Sequence, residues 1–273
     1  KQASILGHLD NLGLLSGSCC FVEFGAGRGK LSHWVDIATQ GSENINFLLV
    51  ERATTRFKVD GKQRSSVFER LQIDIQHLCL GRVPSLNEKQ LPVIGIGKHL
   101  CGAGTDLALR CLMQSNSLAN GEPFPKKPSC VGGIAIALCC HHRCDWHHYV
   151  GREFFQSLGL DQREFSLFQR MSSWATCGMR LPAKAIQSDE QMESEEHDAE
   201  QQNCHSETVE SMAQIFPLFS RFLTVKERES LGRLCKLLID YGRVDFLQRM
   251  GYIAALQYYT EPEVSLENVL LTA

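Results

Sequence analysis

Glu23, Gly25, Gly27 and Gly29 stand at every second position directly after the apolar run Cys20-Phe21-Val22. Glycine at such a place lets the backbone turn sharply and lets a ligand approach where a Cβ would stand. A helix opening there presents free N–H groups, which dinucleotide enzymes use in the motif G-x-G-x-x-G to hold a pyrophosphate. Here the third glycine comes one residue earlier, and an acid precedes the first. A carboxylate disfavours a pyrophosphate and favours a ligand carrying an amino cation and a sulfonium. The spacing therefore predicts a site for S-adenosylmethionine over Glu23, Gly25, Ala26, Gly27 and Gly29, and disfavours an NAD-type oxidoreductase.

Glu51 closes a second apolar run 24 residues beyond Gly27, where a carboxylate can accept both hydroxyls of an adenosine ribose. Arg52 flanks it. Asp74 follows a third run and is placed to accept from an adenine amino group, with Ile75 against the ring. Two further segments carry reactive side chains: Lys98-His99-Leu100-Cys101-Gly102 and Cys139-Cys140-His141-His142-Arg143-Cys144. The Asn/Asp-Pro-Pro-Tyr segment common in amino-methylating enzymes is absent from the first, which favours a hydroxyl acceptor over an exocyclic amine. A hydroxyl must shed its proton as it attacks, so His99, His141, His142 and Lys98 are the candidate bases. Cys101 and Arg143 are assigned to the substrate side, Arg143 as a phosphate contact. The Cys139–Cys144 run crowds its ligands into six residues. It lacks the spaced pairs that wrap one zinc ion, and no metal is expected.

These residues need a frame that collects strand ends. Strands are predicted at 21–24, 46–51, 68–73, 91–97 and 131–138. A helix follows the glycine turn with Leu31, Trp34, Val35 and Ala38 at helical spacing, and another is capped by Thr105 or Asp106. Strands alternating with helices argue a parallel sheet, whose ligand crevice lies beyond the carboxyl ends of its strands. Helical patterns are expected at 146–159 and 165–174, and from Lys226 to Met250 with a break near Gly242. Strand-like 252–260 and 268–272 then complete a seven-stranded, mostly parallel sheet with helical insertions, a class I Rossmann-like methyltransferase fold.

The 273 residues fit one domain, and 43% apolar and 22% charged side chains are ordinary for a globular chain. No apolar run reaches the roughly 20 residues of a membrane span. Of 31 acidic side chains nine fall in 187–210, which has no Lys or Arg. That segment is expected to be a disordered insertion, since it has too little apolar surface to offset its ordering entropy. The rest carries 28 basic against 22 acidic side chains, a balance compatible with a polyanionic substrate. Several of the twelve cysteines sit inside apolar runs, as expected of reduced thiols in the cytoplasm or nucleus. The chain opens on Lys1 and is expected to be a piece of a longer protein.

Val-Glu-Phe-Gly-Ala-Gly-Arg-Gly (22–29), Lys-His-Leu-Cys-Gly-x-x-x-Asp-Leu (98–107) and Cys-Cys-His-His-Arg-Cys-x-Trp-x-x-Tyr (139–149) together resemble the eukaryotic tRNA ribose 2′-O-methyltransferases that modify the fourth nucleotide of the acceptor stem. The resemblance implies S-adenosylmethionine as donor, tRNA as substrate and no obligate protein partner. It makes Glu23, Gly25, Gly27 and Gly29 cofactor contacts, and 98–102 and 140–144 the reaction loops. Members of that family also carry N-terminal zinc-binding modules, so these residues correspond to a catalytic domain. The alternatives are an RNA base or protein methyltransferase, and a non-catalytic module of the same fold that binds RNA or protein.

Overall fold

The computed structural model describes residues 1–39, 44–54, 67–114, 130–176 and 222–273. Seven strands form one sheet: β1 Cys19–Phe24, β2 Ile45–Glu51, β3 Val67–Gln72, β4 Val93–Lys98, β5 Val131–Ala137, β6 Ala255–Tyr258 and β7 Val269–Thr272. Their order is β3-β2-β1-β4-β5-β7-β6. The first five run parallel, and β7 is antiparallel to both β5 and β6. This is the mixed α/β, mostly parallel architecture that the alternation of patterns predicts. All five parallel strands begin or end within two residues of expectation.

Helices cover both faces. Beside α1 (Gln2–Asn11), α2 (Lys30–Ala38) leads from β1 to β2, α3 (Pro84–Lys89) precedes β4, and α4 (Gly104–Gln114) joins β4 to β5. After β5 come α5 (Arg152–Ser157), α6 (Gln162–Ser172) and α7 (Val225–Arg249). Every residue of β1 is buried, as befits a central strand covered on both sides. Its side chains alternate: Cys20, Val22 and Phe24 join the core with Ala108, Leu112, Val244 and Leu247 of α4 and α7. Cys19 and Phe21 join Ile5, Leu9, Leu31 and Val35 of α1 and α2. A third cluster, with Tyr149, Phe155, Phe165 and Ile239, fastens α5 and α6 to α7.

The structure adds one helix and changes four expectations. α1 carries no strong pattern and was not predicted; Ile5 and Leu9 alone are fully buried on it. In α2 the buried face is Leu31, Ser32, Val35 and Asp36, while Trp34 is 45% exposed. Neither Thr105 nor Asp106 caps α4, because the helix starts at Gly104 and both are buried within its first turn. α7 runs unbroken through Gly242. A Cβ there would stand 2.0 Å from the Tyr149 hydroxyl, so the glycine admits a close neighbour and does not end a helix. The expected helix 146–159 shortens to α5, preceded by a 3₁₀ turn at His141–Arg143. The acidic stretch 187–210 lies outside the described residues. No helix among the described residues is long and apolar enough to cross a membrane.

Candidate active site at the carboxyl edge of the sheet

The turn after β1 is built as its glycines demand. Gly25, Gly27 and Gly29 have φ of +61°, +49° and +71°, the left-handed region that favours glycine. A Cβ on Gly25 would meet Leu100 Cδ2 at 2.8 Å, whereas one on Gly27 would meet nothing within 4 Å. The first glycine thus seats the turn on the β4 loop, and the second leaves open space along the backbone. Ala26 N–H donates to the Val50 carbonyl at 3.0 Å and Gly29 N–H to that of Ala26 at 2.8 Å. Glu51, at the carboxyl end of β2, accepts from Gly27 N–H at 2.9 Å and from Ala53 N–H at 3.0 Å. Its carboxylate therefore sits against the turn, as the 24-residue spacing requires. Arg70 of β3, which sequence reasoning missed, donates to the Gly27 carbonyl at 2.8 Å.

Glu23 does not line that open space. It is 4% exposed, and its Oε2 accepts from both N–H and Oγ–H of Ser32. Ser32 is the third residue of α2, whose N-cap Gly29 has no side chain to offer. Glu23 therefore caps the helix from β1, satisfying an amide that the N-cap glycine cannot. Burial pushes its carboxyl up to about 7, against the lowering by the Ser32 hydrogen bonds and Arg70. Asp74 caps a short 3₁₀ turn at Ile75–His77 by accepting from Gln76 N–H at 3.0 Å. Arg52 lies 3.7 Å from Asp74 in an exposed pair, and Ile75 packs on the core at its side.

The loops after β4 and β5 lie side by side. Leu100 is buried against Gly25 and Gly97, which keys the first loop beneath the glycine turn. A Cβ on Gly102 would stand 3.2 Å from the Arg143 carbonyl, and Cys144 Sγ–H donates to the Gly102 carbonyl at 3.5 Å. Two non-glycine residues hold positive φ here, His99 at +66° and Cys140 at +50°. Each such residue costs on the order of 1–3 kcal/mol and persists where the surroundings fix it, often at functional sites.

Of the four candidate bases the structure leaves three at this edge. His99 and His142 are exposed and Lys98 half-buried. Partial burial, then neighbouring positive charge, holds all three below their usual ranges: Lys1 and Lys30 act on Lys98, Lys98 on His99, and Arg143 on His142. Glu267, between β6 and β7, opposes this at both imidazoles and is a neighbour that no local motif announces. His141 is the correction. It is 1% exposed, and its Nε2–H donates to Asp240 of α7 at 2.7 and 2.8 Å. Arg243, one turn along α7, donates to Asp240 at 2.8 Å and through two nitrogens to Asp106 at 3.1 and 2.7 Å. It also reaches Cys144 Sγ at 3.0 Å. Burial would raise the Asp240 carboxyl, but His141 and Arg243 outweigh it and hold it below the usual carboxylate range. His141 is thus an anchor of the β5 loop, and not a group that meets substrate.

Arg143 is exposed. Cys101 is exposed too, but its thiol faces the thiols of Cys140 and Cys139. A cavity of about 470 Å³ lined by Arg110, Trp146, Arg152 and Arg249 includes none of the predicted site residues.

The sequence profile of the family described as Methyltransferase TRM13 matches residues 1–273. The chain belongs to this family. Among curated TRM13 relatives, the mouse protein named "tRNA:m(4)X modification enzyme TRM13 homolog" is 54% identical over 310 aligned residues, covering 100% of the chain and 63% of the relative. Its human counterpart is 52% identical over 311, with the same coverage. The Saccharomyces cerevisiae TRM13 enzyme is 31% identical over 313, covering 99% of the chain and 61% of the relative. The chain therefore spans about 63% of the length of its mammalian TRM13 relatives.

Proposed function

We propose that the chain is the catalytic domain of a tRNA 2′-O-methyltransferase that uses S-adenosylmethionine to methylate the ribose of nucleotide 4 in the acceptor stem. The observation that carries the reading is convergence. The open space at Gly27, the Glu51 carboxylate hydrogen-bonded to it, the β4 loop keyed under the turn by Leu100 and the β5 loop beside it share one edge of the sheet. The strand order, with β7 alone reversed, supports a class I Rossmann-like methyltransferase fold. The names of the TRM13 relatives support tRNA as substrate and position 4 as target.

The residues suit the donor. The glycine turn leaves space beside its backbone at Gly27, where a Cβ would meet nothing within 4 Å. Glu51 has carboxylate lone pairs beyond the two amides it serves, for ribose hydroxyls, and Asp74 and Ile75 follow β3 where an adenine would rest. Glu23 acts on that surface indirectly, by bracing α2. S-adenosylmethionine, when bound, supplies an electrophilic methyl group.

The remaining work falls to the loops. Arg143 holds a backbone phosphate of the acceptor stem, and the backbone of 98–102 sets the ribose against the turn, so that orientation lowers the barrier. The 2′-hydroxyl proton leaves to Lys98, His99 or His142, each more basic-form at neutral pH than an unshifted group would be. Single-turnover rates of variants lacking each base identify which one takes it.

The test of the whole reading is incubation with methyl-labelled S-adenosylmethionine and total tRNA, followed by nuclease digestion. A 2′-O-methylated nucleoside at position 4 is expected. Label on a base or on protein replaces the acceptor, and absence of donor binding makes the chain a non-catalytic module.

A further inference from the structure

Beyond the donor and acceptor, the two loops bring three thiols together. Cys101, at the end of β4, has its Sγ 3.1 Å from that of Cys140 and 4.0 Å from that of Cys139, both at the end of β5. All three sulfurs lie within 4.8 Å of one another, the one group of three or more such ligand atoms among the described residues. Within 139–144 alone the thiols lack the spacing that wraps a zinc ion, but the sheet, by pairing β4 with β5 in parallel, delivers Cys101 from 38 residues away.

We infer that Cys101, Cys139 and Cys140 form a metal site for a soft divalent cation, zinc by its chemistry, that clips the β4 and β5 loops together. Three sulfurs at about 2.3 Å from one tetrahedral zinc ion stand about 3.8 Å apart, within the span observed. Thiols in contact gain little from one another, being weak donors and weak acceptors. Yet both loops hold an unfavourable backbone that presents them. Cys140 itself has φ +50°, and His99, two residues before Cys101, has +66°. Strain at the ligand Cys140, and at His99 in the loop that carries Cys101, marks a place where something beyond chain packing fixes the geometry. The ligand set is sulfur alone, which favours zinc over the oxygen-seeking magnesium and calcium. Burial is graded: Cys139 is buried, Cys140 half-buried and Cys101 exposed, so an ion can enter from the open side. Three protein ligands leave a fourth tetrahedral position for water on that side. The binding step is ligation without electron transfer: each thiol gives its proton to solvent as its sulfur bonds the metal.

The test is cobalt(II) titration of the reduced 273-residue chain, followed by zinc. One equivalent should bind with sulfur-to-cobalt charge-transfer and four-coordinate d–d absorption, displaced by one equivalent of zinc. Cys101→Ser and Cys140→Ser should each weaken cobalt binding by more than about 100-fold, since even outer-shell changes weaken metal sites by about 10- to 100-fold. Cys130→Ser, at the opposite end of β5, should leave it unchanged. Zinc-edge X-ray absorption on the unaltered chain should count three sulfur ligands, independent of how any variant folds. Absent cobalt bands, bands that survive Cys101→Ser, or fewer than three sulfurs overturn the site. So does a Cys101–Cys140 disulfide, found by peptide mass, in a chain that takes up no metal.

Discussion

The glycine turn and the β5 loop sit on the same sheet edge but are held in opposite ways. The turn is local: positive-φ glycines, amide hydrogen bonds to Val50 and Glu51, and a capping carboxylate from the adjacent strand. The β5 loop is held at a distance. Its His141 rests on Asp240, 99 residues on, and Asp240 is tied through Arg243 to Asp106, 137 residues back from that arginine. A local motif keeps its shape through backbone preference, so side-chain changes affect its ligand first. A buried ionic network keeps its shape only while every charge has its partner. The same edge therefore has one half sensitive to ligand chemistry and one half sensitive to remote packing.

The largest expected effect separates them. Arg243→Ala leaves two carboxylates buried without their cation, and should destabilise the fold by about 3–5 kcal/mol, read from the denaturant midpoint. Hydrogen exchange should show amides of 140–144 losing protection before those of 25–29. Equal loss in both segments would mean that the two halves unfold as one unit, and the contrast drawn here would fail.

Next comes the pH dependence of the turn. Glu23 has a carboxyl raised by burial to about 7 from an ordinary 4.5, so the native state holds a proton that the unfolded chain has released. Its contribution is full below about 4.5 and is lost as pH rises through about 7. At about 1.4 kcal/mol per unit the loss amounts to roughly 3 kcal/mol. Glu23→Gln keeps an acceptor for Ser32 and should flatten the melting temperature between pH 5 and 8 (roughly the window of that shift). If the wild-type and variant profiles stay parallel, another group carries the dependence.

How much of this was legible follows the same division. The five parallel strands, the turn and Glu51 could be read because their signals are neighbours in sequence: alternation, glycine spacing, an acid closing a run. α1 escaped because only Ile5 and Leu9 are fully buried on it. Asp106 looked like a cap, since an acid at a helix start is ordinarily one, and its real partner lies on α7. Gly242 looked like a break because the Tyr149 ring that needs its missing Cβ is 93 residues upstream in sequence. His141 looked reactive for the same reason, and Cys101 was assigned to substrate without its thiol neighbours Cys139 and Cys140. Apart from α1, each of these misses is a pairing between residues far apart in the chain, which periodicity and spacing do not encode.

Glu51→Gln sharpens the turn's side. A single amide oxygen replaces a carboxylate that serves Gly27 and Ala53 and, in our proposal, the ribose hydroxyls. Hydrogen bonds to charged groups are worth about 1.5–3 kcal/mol, so calorimetry should record donor affinity falling roughly 10- to 100-fold. Unchanged affinity would move the adenosine away from β2.

The smallest expected change in stability belongs to Arg143→Ala, and it tests whether the β5 loop has an outer face distinct from its anchor. Arg143 is exposed while His141, two residues before it, is buried. An exposed side chain outside the network should alter stability by no more than about 0.5 kcal/mol. Its effect should appear in binding. Loss of one phosphate contact reduces the slope of log affinity against log salt by about 0.7–0.9, and does so for every tRNA alike, because a phosphate carries no sequence information. A slope that does not change removes Arg143 from the RNA surface. A loss confined to some tRNAs would make it a base contact, and would turn the exposed face of this loop from a positioning element into one that selects its substrate.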